Sequence, residues 1–595
     1  MIVPMQRIAV LCTASSEKDT LDALQSLGVL HISQTPSAEA PALHEAQEAL
    51  DNATKALQLV TTMAADLEKE KANLPPAPAG ATPEAIVADA ARLDATLAER
   101  AALQSQINRY APFGDFDPAQ AVALGETGLT VRLFRTPPGA KEPEAKNGGI
   151  VSVLTAPSAS PDKATYGAII GDAELGEMTE IVPLPEQSLK AMEAEAGKLA
   201  TAIADMRAKL AACAALSAKL SATIAERTTI RDFAAAQASM GAQNGVLWLE
   251  GYTPDDRLPA LREAAKANGW GLAAREPSED ENPPTLLRPP KIFRPITLLF
   301  KMLGIVPGYR EVDMSVIFYS FFTLFFAMLV GDAGYGVLIL LATLYFRKKC
   351  KKAPAAPFIL MTVFGAATTL WGILSATYFG IQTDVLPSFM NHPVAQWLNG
   401  NEHQNIMQLC FMIGAIHLTI ARLWSAGNLF PNRKFLAEVG WTGIIWTMYC
   451  ASCMVVIDGF AFPTFMYYVA GVSALLIALF MLDKSELKEH GAELGMLPLN
   501  IISALGDIIS YVRLFAVGLS SVMLAQNFNA MALDLQLPII AKIPCVILIL
   551  FIGHAMNLAM GALSILVHAV RLNTLEFSNH KGITWSGYDY NPFRR

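Results

Sequence analysis

From residue 315 to 577 the chain is mostly apolar and broken only by short polar links, whereas its first 290 residues interleave apolar and charged positions. A hydrocarbon layer of about 30 Å takes roughly 20 apolar residues in a helix. The apolar half therefore predicts membrane helices over 315–330, 334–346, 357–380, 404–423, 438–457, 463–482, 497–533 and 543–577. The first pair is separated by GDAGYG (331–336), which breaks a stretch too long for one ordinary span.

The first half reads differently. Gln6–Leu11 alternates as a strand does, Ser16–Leu27 has helical start signals and is ended by Gly28, and Val29–Ile32 returns as a strand. Residues 39–110 then read as helix, interrupted by a Pro-rich loop at 74–83. Strand-like runs follow at 131–134, 150–154, 166–170 and 180–184. A long Ala-rich helix is expected over 186–237. The pattern at 246–254, 255–268 and 271–274 repeats the opening unit. Neither helical stretch can bury its apolar stripe alone, so antiparallel pairing is expected.

The predicted fold class is mainly α. An α/β unit (1–38 with 243–280) and a distal one (111–185) are joined by a helical arm (39–110 with 186–237). Residues 291–314 form a linker, 315–577 the polytopic membrane domain with two long, tilted last helices, and 578–595 a tail.

Charge orients this scheme. RKKCKK (347–352), Arg422, Arg433, Lys434, Lys484, Lys488 and Lys581 fall on one side. Loops 381–403 and 458–462 carry no Lys or Arg, and loop 531–543 only Lys542. The basic side, with both termini, is expected in the cytoplasm. The start, MIVPMQRIAVL, has no signal-peptide pattern. The acidic balance, a formal net charge of −8, argues against nucleic acid.

Composition points to no cofactor, metal or enzyme active site. There is no Walker A pattern, and GDAGYG lacks the Lys-Ser/Thr of a phosphate loop, so its glycines read as helix-packing residues. Cys450 and Cys453, one turn apart in an expected membrane helix, read as packing residues too. His417 and His554 have no companions at metal-ligand spacing.

Arg513, near the middle of 497–533, does carry a functional expectation. A guanidinium keeps its charge at any accessible pH, and at the centre of a membrane helix it costs about 2.5–3.5 kcal/mol on insertion scales. At about 100° per residue it shares a face with Gly506, Ser510, Val517 and Ser520. Asn557, Gly561, Ser564, His568 and Arg571 fall on one face of the last helix. Lipid rejects such stripes, so they are expected to face a cavity or another protein. On that reading no group on Arg513's own helix compensates it, and its counter-charge comes from another protein. Asp332 and Asp507 are intramembrane carboxylates that either line an aqueous path or cap helix ends.

The stretches GDIISYVRLFAVGLS (506–520) and HAMNLAMGALSILVHAVRLNTLEF (554–577), with GDAGYG, WGILSATYFG (371–380) and YDYNPF (588–593), resemble the membrane stator subunit of rotary V/A-type ATPases, subunit a or subunit I. The resemblance implies a multi-pass protein of a prokaryotic plasma membrane, whose two half-channels pass protons or sodium ions to a rotating ring. It implies rotor-ring proteolipid subunits, peripheral stalks and a central stalk or collar subunit as partners. It also implies translocation roles for Arg513 and Arg571. His568, Asp507, Ser510, Ser520, Asn557 and Ser564 join them as candidates from their placement. Eukaryotic relatives carry a glutamate and a histidine where this chain has Gly561 and Ser521. The alternative is a secondary transporter with a cytoplasmic regulatory domain. That class needs broken helices in an inverted repeat, and no such repeat is visible.

Overall fold

The computed structural model describes the chain apart from residues 34–39, 70–80, 157, 159–161, 177, 352, 383–384, 388, 391, 401–402, 482–494 and 537. Most of the loop expected at 74–83, along with Lys484 and Lys488, lies outside the described residues. Two compact units emerge. One comprises Met1–Val10, Val29–Ser33 and Glu250–Pro592; the other comprises Leu11–Gly28, Gln34–Leu249 and Phe593–Arg595.

The second unit is built on four helices, Pro41–Lys69, Pro83–Tyr110, Leu189–Ala212 and Ser217–Ala238. Pro41–Lys69 packs on Ser217–Ala238, and Pro83–Tyr110 on Leu189–Ala212. Ala56, Val60, Ile86, Leu93, Ile203, Leu210 and Leu220 form their shared core. The helix starts follow from sequence. Thr82 and Ser188 each accept a backbone N–H three residues on, and Pro83 fills a first position that needs no donor. The run expected as one helix over 186–237 is interrupted by a 3-10 turn at Cys213–Leu216. By length and composition Leu189–Ala238 is apolar enough to cross a membrane, at a mean hydropathy of 1.3. Of its alanines, Ala196, Ala211, Ala212, Ala234 and Ala236 are buried. Arg227 ties three helices together, donating to the Ala49 carbonyl and the Glu84 carboxylate, each at 2.6 Å. That guanidinium holds Glu84 below the usual carboxylate range. The four strands Ile150–Thr155, Thr165–Ile170, Val131–Thr136 and Glu180–Val182 form an antiparallel sheet in that order. Each overlaps an expected strand.

In the first unit, strands Gly271–Arg275, Met5–Thr13, Val246–Pro254 and His31–Ile32 lie side by side in that order. Arg7 pairs with Glu250 on a neighbouring strand and with Glu281 beyond the sheet. The C-terminal tail folds back on residue 285. The Thr285 N–H donates to the Tyr588 carbonyl at 2.8 Å, and the Tyr590 N–H to the Thr285 carbonyl at 3.1 Å.

Among the described residues eight apolar helices follow, as the sequence suggests. Ala355–Ser375, Gln404–Leu429, Phe435–Val456, Leu497–Leu533 and Ile539–Lys581 are each long and apolar enough to span. Ser315–Val330 and Ala333–Lys349 form a pair bent by 118°, and Phe465–Phe480 is shorter. The bend has a clear cause. Gly331 adopts φ +69°, which ends the first helix. Asp332 starts the second, its Oδ1 accepting from the Gly334 and Tyr335 N–H groups at 2.7 and 3.3 Å. Of its two expected roles, Asp332 takes the cap. Gly336 packs so tightly that a Cβ there would meet the Thr369 backbone nitrogen at 2.5 Å, in keeping with a packing role for GDAGYG. Phe318, Phe322, Phe325, Phe411 and Tyr511 fill the core of the helical domain.

The arm core offers a stability test. Leu93→Ala should cost about 2–5 kcal/mol in an unfolding transition that includes the arm, because Leu93 is 1% exposed. Val122→Ala, at a position 57% exposed, should be close to neutral. Equal costs for the two would contradict the packing described.

Candidate functional site

The stretch Leu497–Leu533 is not one regular helix. Ser510 Oγ donates back to the Gly506 carbonyl at 3.0 Å, a side-chain bond that competes with the helix ladder. Over the next residues the backbone turns to i→i−3 bonds, with the Tyr511, Arg513 and Leu514 N–H groups reaching the Ile508, Ser510 and Tyr511 carbonyls at 3.1, 3.3 and 3.0 Å. Tyr511, fully buried, anchors this turn. Its hydroxyl pairs with His417 Nδ1 at 2.8 Å, and its ring occupies the space left by Gly414, where a Cβ would come within 2.6 Å of it. With Tyr511 fixed inward, Arg513 two residues on lies roughly 200° around the helix and points away from the core. Its side chain is 24% exposed.

The last helix carries a second irregularity. Ile565–Ala569 and Leu572–Phe577 are π-helical, with i→i+5 bonding. In an α-helix Arg571 and Glu576 would stand about 140° apart, whereas a π turn stacks positions five apart. Glu576 therefore comes under Arg571. Its Oε1 lies 3.4 Å from Arg571 Nε and 3.4 Å from Arg513 Nη2. Arg513 Nη2 also donates to Ser510 Oγ at 2.8 Å. Glu576 is 4% exposed, its Oε2 and Arg513 Nη1 are buried without a hydrogen-bond partner among the described residues, and Arg571 is 53% exposed. Two guanidiniums thus share one buried carboxylate oxygen at long distance, leaving one positive charge in excess.

This changes the expectations from sequence. The counter-charge of Arg513 is supplied within the chain, by the neighbouring helix, and not only from outside. Glu576 was missed because 100° phasing puts it on the wrong face, although a lone Glu in an apolar stretch was a signal. The five-residue stripe on the last helix does not stay on one face. Asn557 and Gly561 are buried, Ser564 and His568 are half-buried, and Arg571 is more than half exposed, because the π turns rotate the frame. Ser510 joins the arginine site. Ser520 does not: it is exposed and bonds back to the Ala516 carbonyl at 2.7 Å. Ser564 and His568 make no hydrogen bond with the cluster among the described residues.

Asp507 and Asn557 belong to two further polar clusters, one on each side of Arg513 along the helix. Asp507 Oδ2 accepts from His580 Nε2 at 2.9 Å, and His580 Nδ1 accepts from Arg422 Nε at 3.1 Å, which fixes the imidazole tautomer. Arg422 also pairs with Glu438 at 3.1 Å and lies over the Trp441 ring. These residues line a cavity of about 390 Å3. Asn557, on the other side, is bonded to Tyr335 and Ser521. Neither cluster holds three or more His, Cys, Asp or Glu side chains placed to share a metal ion, among the described residues.

The helical domain thus combines helices apolar enough to cross a membrane with a half-open Arg–Glu–Arg cluster that lies between two polar clusters. No family model matches the chain. It is 30% identical over its whole length, and the whole of the relative's, to "V-type ATP synthase subunit I 1" of Treponema pallidum. It is 32% identical over 58% of its length, and 60% of the relative's, to "V-type ATP synthase subunit I" of Borreliella burgdorferi. "A-type ATP synthase subunit I" of Archaeoglobus fulgidus matches at 26% identity over 58% of each chain. A solved cytoplasmic N-terminal domain of subunit I, homolog of subunit a, of V-ATPase covers 45% of this chain at 17% identity, with a TM-score of 0.19 that supports no common shape. The chain belongs to the subunit I family of V-type and A-type ATP synthases.

The anchor under Arg513 is open to test. Gly414→Val should expel the Tyr511 ring and lower the stability of the membrane domain by about 1–3 kcal/mol, the usual range for overpacking. Gly427→Ala, in open space on the same helix, should be silent. A neutral Gly414→Val would contradict the close approach.

Proposed function

We propose that the chain is the stator subunit of a rotary V/A-type ATPase or ATP synthase, with both termini in the cytoplasm, and that it couples ion flow through a membrane ring to ATP turnover elsewhere in the complex. Its own role is non-catalytic. The carrying observation is the pair of guanidiniums on one shared carboxylate oxygen. Rotor-ring proteolipids would face Arg513 and Arg571, and the soluble unit would meet stalk and collar subunits.

The physics of the cluster suits this task. A site that must bind a passing carboxylate and let it go needs positive charge that is neither fully neutralised nor fully bare. Arg513 and Arg571 keep their protons while desolvated, so they can receive a deprotonated carboxylate. They also repel free protons and block a shortcut between two aqueous paths. Glu576 offsets part of this charge when no ring carboxylate is present, which limits the cost of burying two like charges. Its 3.4 Å separations are longer than a tight charge-assisted bond of about 2.7–2.9 Å. The guanidiniums are thus free to exchange partners. The cavity at Asp507 and the polar cluster at Asn557 would serve as the two approaches.

A secondary transporter is disfavoured by the full-length likeness to subunit I.

Arg513→Ala in the assembled complex, reconstituted in vesicles, should abolish ATP-coupled ion transport while leaving the subunits together. Arg513→Lys should lose most of it, because lysine lacks the planar fork and deprotonates when desolvated. Arg571→Lys, at the more exposed position, should keep partial coupling. Normal coupled transport by Arg513→Ala would overturn this function, and an equal loss from Arg571→Lys would overturn the ranking.

A further inference from the structure

At the end of the membrane domain poor in Lys and Arg lies a cavity of about 570 Å3, lined by Phe379, Gln382, Gln526, Asn529, Asp534 and His554 among others. It sits between the C-terminal part of Leu497–Leu533 and the N-terminal part of Ile539–Lys581. His554 is half-buried in its wall. The imidazole is not a loose surface group, because a chain of hydrogen bonds holds it from behind. Tyr335 Oη pairs with His554 Nδ1 at 2.7 Å. Asn557 Nδ2 donates to Tyr335 Oη at 3.0 Å and to the Ser521 carbonyl at 2.9 Å, while Ser521 Oγ donates to Asn557 Oδ1 at 2.9 Å. Phe379 and Tyr335 meet the imidazole edge to face.

The direction of every bond in this chain but the one between Tyr335 and His554 is determined. A backbone carbonyl only accepts, so the Asn557 atom facing Ser521 O must be the amide nitrogen. Its second hydrogen goes to Tyr335 Oη, which spends one lone pair on it. The bond to His554 runs either way: the Tyr335 hydroxyl donates to Nδ1 in one neutral tautomer, and its second lone pair accepts from Nδ1–H in the other. In the second tautomer Nε2 carries the free lone pair, and taking up a proton there leaves every bond of the chain in place.

We propose that His554 is a proton-accepting group for ions that enter from the Lys/Arg-poor end of the membrane domain, with Tyr335, Asn557 and Ser521 as positioning residues that hold it ready. The inference rests on the ion-translocating function above. In the step itself, a hydronium ion in the cavity gives its proton to the imidazole, leaving water and an imidazolium. The relay does not continue through Asn557, since an amide does not pass protons on. His554 instead hands its proton back to water or to an acceptor along the helix towards Arg513. Ser521 lies eight residues from Arg513, about 12 Å by helical rise, so the cluster ends close to the arginine.

The other charged or titratable groups around His554, among the described residues, are few. Asp332 spends its carboxylate on the Gly334, Tyr335 and Gly380 N–H groups. Asp534 lies on the cavity wall, and Lys542 Nζ donates to the Leu533 carbonyl at 3.2 Å. His554 is thus the one imidazole among the described residues of that wall.

The test uses the assembled complex in vesicles, with ATP-driven proton transport, ATP hydrolysis and subunit content read together. His554→Ala should slow transport by about tenfold or more, the usual lower reach of a lost proton-transfer group being about a hundredfold. Added imidazole, which fits the cavity, should restore it. His554→Gln, which still accepts from Tyr335 but holds no proton, should be equally slow. Transport at the normal rate by His554→Gln, or a His554→Ala loss that imidazole leaves unchanged, would overturn the proposal. Should alanine disturb assembly, His554→Gln decides alone. Arg513→Ala, run beside them, separates the two claims. If it transports normally, the underlying function fails; if it is dead while His554→Gln is normal, only the role of His554 fails.

Discussion

Two arginines on neighbouring membrane helices cannot lie close together unless something negative lies between them, and Glu576 meets that constraint. The helical domain is shaped to deliver it. The π-helical turn at Leu572–Phe577 swings Glu576 under Arg571. The 3-10 turn at Ser510–Tyr511, pinned by Tyr511 in the cleft beside Gly414, aims Arg513 at the same oxygen. Irregular helix turns cost stability, and they recur where side chains must be aimed at one another. Here both irregularities flank one cluster. The result is a site with a single surplus positive charge, its two guanidiniums each 3.4 Å from one carboxylate oxygen.

The clusters on either side differ in character. The Asp507–His580–Arg422–Glu438 group is rich in charge and belongs to the end where Arg433, Lys434 and Lys581 gather. The Ser521–Asn557–Tyr335–His554 group is neutral apart from its imidazole, and belongs to the end poor in Lys and Arg. Arg513 lies between them along its helix. In the function proposed, an ion approaching from either end would meet polar groups before the guanidiniums, where a cation would be repelled.

Much of this architecture was legible in the sequence, because apolar length and Ala-rich charged periodicity report directly on burial. The eight apolar helices, the four-helix arm and the small sheets all follow from such patterns. Arg513 was legible too, since a fixed charge amid apolar residues has few explanations. What regular phasing hid was everything that depends on an irregular turn. A ruler of 100° per residue put Ser564 and His568 on one stripe with Arg571 and hid Glu576. Tertiary pairing was equally out of reach. Nothing local says that Asp507 meets His580, 73 residues on, or that Asn557 reaches Tyr335, 222 residues away.

The central claim is that Glu576 neutralises charge shared by Arg513 and Arg571, and a double-mutant cycle measures it directly. Coupled transport and thermal stability would be compared in the assembled complex for Glu576→Gln, Arg571→Gln and the pair together. A shared charge predicts that Glu576→Gln alone, which leaves two uncompensated guanidiniums, is the most damaging to stability. The double variant, with Arg513 as the sole charge, should recover part of that loss, with a coupling of about 0.5–3 kcal/mol. Strictly additive effects of the two substitutions would contradict it.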